Sequence, residues 1–90
     1  MFSLSFTNQF KKDSKLCIRR KYEMANLQSV LTELESIGKV QQIYKPHTLN
    51  GNYAGCWECH IENDWLLIWE LFPDNEIHFI RTGAHSDIFG

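Results

Sequence analysis

The stretch ECHIENDW, residues 58–65, decides how the rest of the chain is read. As a strand, a polar turn and a restarting strand, it opens a β-meander. That meander has strands over about 55–61, 64–72 and 76–82, with turns at Glu62-Asn63 and Pro73-Asp74-Asn75. A turn needs polar residues, but it does not need an imidazole, a carboxylate and an indole within six positions. His60, Asp64 and Trp65 therefore carry something beyond a chain reversal. A competing reading starts two residues earlier, where CWECH (56–60) fits the C-x-x-C-H pattern of covalent haem attachment. Strand geometry argues against it. Residues three apart on a strand point to opposite faces, so the thiols of Cys56 and Cys59 diverge. A redox C-x-x-C opens a helix, which this segment does not resemble. Zinc would need a second ligand pair, and Cys17 and His47 stand apart in sequence. The reading expects no metal, no haem and no other cofactor.

Working toward the N-terminus, FSLSF (2–6) alternates apolar and polar residues and reads as a strand. Thr7 can cap a helix over about 7–21 whose inner face is Phe10, Ser14, Cys17 and Ile18. Met24, Leu27, Val30, Leu31, Leu34 and Ile37 keep the 3/4 spacing of a second helix, and Gly38 stops it. Residues 38–54 lack periodicity and read as one long loop, a length that compact domains reserve for function. AHSDIFG closes the chain as a short tail. The order β-α-α-β-β-β specifies an α+β domain over residues 1–90, with an antiparallel-rich sheet carrying a helical hairpin on one face. The other sheet face is left for a site.

Composition agrees with a single soluble domain. Ninety residues bury roughly 60–65% of the unfolded surface. No apolar run approaches the ~18 residues of a membrane span, and MFSLSFTNQFKK lacks the pattern of a secretion signal, so the expected location is cytoplasmic. Net charge is −2, but it is unevenly spread: residues 1–22 hold six Lys/Arg and one acid, residues 23–90 three Lys/Arg and ten acids. The basic block KKDSKLCIRRK is the one segment whose charge suits a polyanion, although a solvated helix face would look the same.

Four histidines remain. His47 lies in the long loop, His60 at a strand end and His85 just past the last strand, all places where a scaffold presents chemistry. His78 lies mid-strand and reads as a bystander. Imidazoles titrate near neutrality, so several converging ones suit general acid–base work. Asp64 could orient one of them, and Arg81 could meet a developing negative charge. Trp65 and Phe89 could stack on unpaired bases, or simply pack in the core.

Taken together, three motifs in order carry a resemblance. YKPHTLNG, then HIENDWLLI, then RTGAHSDIF are similar to the C-terminal half of YafQ-type toxins of the RelE/ParE superfamily. The N-terminal FTNQFKKDSKL and the helical pair fit more loosely. The resemblance implies a RelE-like fold and the toxin of a type II toxin–antitoxin system. Its activity would be ribosome-dependent, metal-independent cutting of mRNA with the RNA 2′-OH as nucleophile. It implies a catalytic group of His47, His60, Asp64 and His85. Arg81, Trp65, Phe89 and Lys45 would serve the transition state or bind RNA. Implied partners are a cognate antitoxin, held in an assembly such as a heterotetramer, together with mRNA on the ribosome and ribosomal RNA. Ala54 and Trp57 stand where such toxins often carry basic residues. Two other readings share the fold: a ParE-like gyrase inhibitor, and an inactive antitoxin-binding co-repressor module.

Overall fold

The computed structural model describes residues 1–90. Strand β1 (Ser3–Phe6) leads into helix α1 (Asn8–Arg19) and then α2 (Met24–Ile37). A 3₁₀ turn at Gln42–Tyr44 precedes β2 (His47–Thr48), and a second at Gly51–Tyr53 precedes β3 (Trp57–Glu62), β4 (Trp65–Phe72) and β5 (Glu76–Gly83). A last short helix, α3, spans His85–Phe89. The sheet order is β1-β5-β4-β3-β2, antiparallel except where β1 runs parallel to β5. The meander, the helical pair and the α+β class are as the sequence reading has them. Two elements are additions. The long loop contains β2, paired to β3 through His47–Glu58 and Thr48–Trp57, and the expected tail is helical. No helix is long and apolar enough to cross a membrane.

The helices form where their signals stand. Thr7 accepts a hydrogen bond from the Phe10 amide at 3.0 Å, capping α1, and Gly38 closes α2 in the left-handed conformation at φ 75°. A side chain at residue 38 would also strike the Phe2 ring at 2.4 Å, so this position admits only glycine. Phe10 and Cys17 of α1 meet Leu27, Val30 and Leu34 of α2 over Cys59, Ile61, Trp65, Leu67, Trp69, Ile77 and Phe79 of the sheet. This is the main core. On the far face, Cys56, Leu66, Ile68 and Ile88 form a smaller cluster that Leu49, Tyr53 and Ile80 border. Two expectations fail at the helix edges: Ile18 and Ile37 are 58% and 57% exposed. Position 13 explains the first. The inner face of α1 is centred on Asp13, which is buried, so Ile18 rotates outward.

A buried carboxylate needs partners, and Asp13 has four hydrogen bonds. β1 ends at Phe6, opposite Phe79, so the outer edge of β5 beyond Phe79 has no strand beside it. Helix α1 fills that place. The Thr7 amide donates to the Phe79 carbonyl, and the Thr7 hydroxyl to the Ile80 carbonyl. Asp13 Oδ2 accepts from the Thr82 amide at 3.1 Å and from Arg81 Nε at 2.8 Å. A bulge at Ile80 (Ile68 pairs with Arg81, but Trp69 with Phe79) turns Thr82 toward the core, where its hydroxyl accepts from the Trp65 indole at 3.0 Å. Replacing Asp13 with alanine leaves Arg81 and the Thr82 amide without their acceptor. The expected loss is at the low end of about 3–5 kcal/mol, since Arg81 keeps some access to water. Urea unfolding at equilibrium measures that loss, and Lys11→Ala should stay within about 0.5 kcal/mol in the same titration.

Candidate functional site

The far face of β3 projects Glu58 and His60, two residues apart on the strand. β2 then sets His47 opposite Glu58. His47 Nε2 lies 2.9 Å from Glu58 Oε1, and its other nitrogen, Nδ1, lies 2.8 Å from the Lys45 carbonyl. Lys45 is in the left-handed region at φ 53°, which brings that carbonyl round. Both ring nitrogens of His47 thus face oxygen atoms, and the two contacts together fix the orientation of the ring.

The ring of His60 sits 6.0 Å from that of His47. Its Nδ1 is only loosely engaged, 3.4 Å from the Asn63 carbonyl, and the residue borders an open groove with Ile43, Tyr44 and Lys45. Glu58 Oε2 is buried and has no hydrogen-bond partner within the protein, an uncommon arrangement for a carboxylate oxygen. Sequence reading missed Glu58, whose only signal is its parity with His60 on the strand. Ligand atoms of His47, Glu58 and His60 all lie within 4.8 Å of one another. The expectation that no ligand cluster exists therefore fails: cross-strand pairing assembles one that sequence spacing concealed.

Across β4, whose Leu66 and Ile68 form the floor, lies the second half of the site. His60 pairs with Leu66, and Leu66 with Gly83, so two strand spacings, about 10 Å, separate the His60 and Gly83 backbones. His85 follows at the start of α3. Asp64 Oδ1 accepts from the His85 backbone amide at 2.9 Å. The carboxylate of the ENDW turn therefore bonds a backbone amide, where the sequence reading expects it to partner an imidazole ring across the turn. The ring of Phe89 lies 4.9 Å from that of His85 and meets Tyr53 edge-on at 5.7 Å, with 42% of the residue exposed.

Two expected RNA contacts are placed elsewhere. Trp65 is 2% exposed and packed edge-on against Tyr22, so it offers no face to a base. Arg81 is engaged by Asp13, reaches the Tyr53 hydroxyl at 3.4 Å and donates to the Asp87 carbonyl. The hydrogen bonds to Asp13 hold its pKa above the ordinary arginine value. It is a tie among α1, β5 and α3, not a free cation. His78, beside Glu76 and Phe72, lies away from both halves.

Comparison with known proteins places this geometry in context. Residues 2–90 match the family model described as the bacterial toxin YafQ of type II toxin–antitoxin systems. The mRNA interferase toxin YafQ of Escherichia coli is 35% identical over 97% of this chain and 95% of its own. That protein's crystal structure superposes with a TM-score of 0.91 at 33% identity, covering both chains in full. In the E. coli DinJ–YafQ toxin–antitoxin complex the TM-score is 0.89 at 34% identity, covering 99% of this chain and 98% of the other. A metal-bound toxin from Helicobacter pylori gives 0.89 at 28% identity, over 99% and 100%.

The three thiols take no part in either half of the site. Cys59 lies in the main core and Cys56 in the far-face cluster, the divergence that strand parity requires. Burial pushes the Cys59 thiol up to about 12 and that of Cys17 to about 11, and raises Cys56 as well. The nucleophilic thiolate is accordingly scarce at neutral pH. Folded protein at pH 8 should leave Ellman's reagent uncoloured over minutes, and guanidinium should release three equivalents. Rapid reaction of one thiol in the folded state would show that its strand opens.

Proposed function

Since the chain belongs to the YafQ toxin family of type II toxin–antitoxin systems, we propose that it is an endoribonuclease that cuts mRNA on the ribosome, with His60 and His85 moving the protons. The observation that carries this reading is the arrangement of the far face. Two loosely held imidazoles flank an apolar floor, and a fixed His47–Glu58 pair stands beside one of them.

In the proposed reaction the 2′-oxygen forms a bond to phosphorus as the bond to the 5′-oxygen breaks. One imidazole takes the 2′-OH proton, and the other protonates the leaving oxygen. The products are a 2′,3′-cyclic phosphate and a 5′-hydroxyl end. Each transfer contributes about 10²–10⁴ in rate. The His47–Glu58 pair, set by the β2–β3 pairing, gives the phosphorane a hydrogen-bonding neighbour whose position is fixed in advance. Lys45, exposed at the groove, supplies a mobile cation. Phe89 supplies a stacking surface above His85. Asp64 and Arg81 act through what they hold, His85 and α3. Of the exposed cations of α1, Lys12, Lys15 and Arg19 border the outward Ile18, and together with Lys11 they suit an acidic partner, either an antitoxin segment or ribosomal RNA.

Two imidazoles and a carboxylate within 4.8 Å also fit a first-row divalent ion, and Glu58 Oε2 has an unused lone pair for it. Such an ion would occupy nitrogen lone pairs that proton transfer uses. Zinc is therefore expected to suppress cleavage, and EDTA to leave it intact. Activity lost in EDTA and restored by zinc would reverse this reading.

His60→Ala and His85→Ala should each abolish growth arrest and codon-phased cutting of a reporter mRNA, with circular dichroism unchanged. His78→Ala should remain toxic. Intact mRNA from the unaltered protein, with gyrase trapped on DNA, would instead select the gyrase-inhibitor reading. Intact mRNA without trapped gyrase would select the co-repressor module.

A further inference from the structure

Arg20 is one of six basic residues between positions 11 and 21, and by sequence it belongs with the others to a cationic surface. The structure separates it from them. Its guanidinium forks onto Asp87 of α3, with Nη1 2.6 Å from Oδ2 and Nη2 3.2 Å from Oδ1. None of the other five forms an ion pair. The backbone of Arg20 is itself fixed, closing α1 with its amide on the Leu16 carbonyl.

The far end of this fork is the helix that presents His85 and Phe89. With five residues, α3 is far below the length at which a helix holds its own shape in water, about 12–15 residues. Its position comes from outside contacts. Ile88 packs into the far-face cluster, Asp64 holds the His85 amide, and Arg81 reaches the Asp87 carbonyl. Asp87 joins the last of these contacts to two more, made by its side chain. While Arg20 grips it, the same carboxylate accepts the Ala84 amide at 3.0 Å, closing the first turn of α3. Gly83, at φ 140°, lets the chain pass so close that a side chain there would stand 3.2 Å from Asp87 Oδ2.

We propose that Arg20 and Asp87 are a positioning pair for the reaction: α1 holds α3, and through it His85, in reach of the scissile phosphate. The inference rests on the endonuclease reading above and assigns Arg20 to the placement of His85, apart from its neighbours' role as surface cations. The hydrogen bonds from Arg20 hold the Asp87 carboxyl below its usual range. A group lowered in this way is charged at neutral pH, and its contribution fades only as pH falls through the lowered value. The pair therefore stands throughout the range in which imidazoles titrate.

The experiment compares Arg20→Ala, Arg20→Lys, Asp87→Asn and the double variant Arg20→Ala/Asp87→Asn with Lys15→Ala as a surface control, all in the full chain. Cleavage on programmed ribosomes is followed as kcat and KM, and amide hydrogen exchange is read at His85, Asp87 and Gly90. Arg20→Ala should lower kcat between about 10- and 100-fold, the scale of a small misplacement of a reacting group, with KM within about twofold of the starting protein. The same variant should lose protection at the α3 amides and keep it in β4. Arg20→Lys should recover part of kcat, and the double variant should be no worse than the more impaired single one. Lys15→Ala should raise KM and leave α3 exchange unchanged. A raised KM for Arg20→Ala, with kcat and α3 protection intact, would overturn the proposal and return Arg20 to the cationic surface. If the unaltered protein cuts no mRNA, the endonuclease reading fails by itself. Exchange at α3 then still decides whether Arg20 positions that helix.

Discussion

A sheet edge without a neighbouring strand is the constraint from which much of this structure follows. Strand β5 is longer than its parallel neighbour β1, so beyond Phe79 its outward backbone groups need other partners. Helix α1 supplies them, first with Thr7 and then with the buried carboxylate of Asp13. An unpaired buried amide costs about as much as a lost hydrogen bond, and a buried carboxylate more, so each resolves the other's deficit. That exchange fixes where α1 lies. It also draws Arg81 into the corner, where its remaining hydrogen bonds reach Tyr53 and α3. The placement of His85 is therefore connected to an edge-capping problem on the opposite side of the sheet.

The legible parts of the fold were those whose signals are local. The turns that punctuate β3–β5, the Thr7 cap, the Gly38 stop and the 3/4 spacing of α2 each depend on a few adjacent residues, and each locates its element correctly. Asp13 was illegible because it lies in a basic block, and its burial is decided by a strand 69 residues away. Ile18 and Ile37 were misread for a related reason: a helix stripe shows which residues are apolar, but the packing partner decides which are covered. β2 is two residues long, too short for any period to show.

The candidate site divides in the same way. Three histidines were legible from their positions at strand ends and in loops, together with the family resemblance. Glu58 was not, because only the β2–β3 pairing puts His47 beside it. The aromatic residues show how far residue type alone misleads. Trp65 and Phe89 carry similar rings, yet one fills the core and the other stands at the surface next to an imidazole. Asp64 was expected to meet a ring and instead holds a backbone amide.

The parallel pairing of Ser3–Phe6 with Glu76–Phe79 has a consequence for the birth of the molecule. Contacts between the two ends of a chain close late, because loop-closure entropy must be met before they stabilise anything. In order of synthesis β1 precedes its sheet partner by about 70 residues. Until β5 emerges, β1 and β4 each lack a neighbour and α1 has no edge to cap. His85 emerges later still, on an element too short to order itself. Until β5 joins the sheet, the two halves of the candidate site cannot face one another across β4, so its assembly waits on the pairing that spans the most chain.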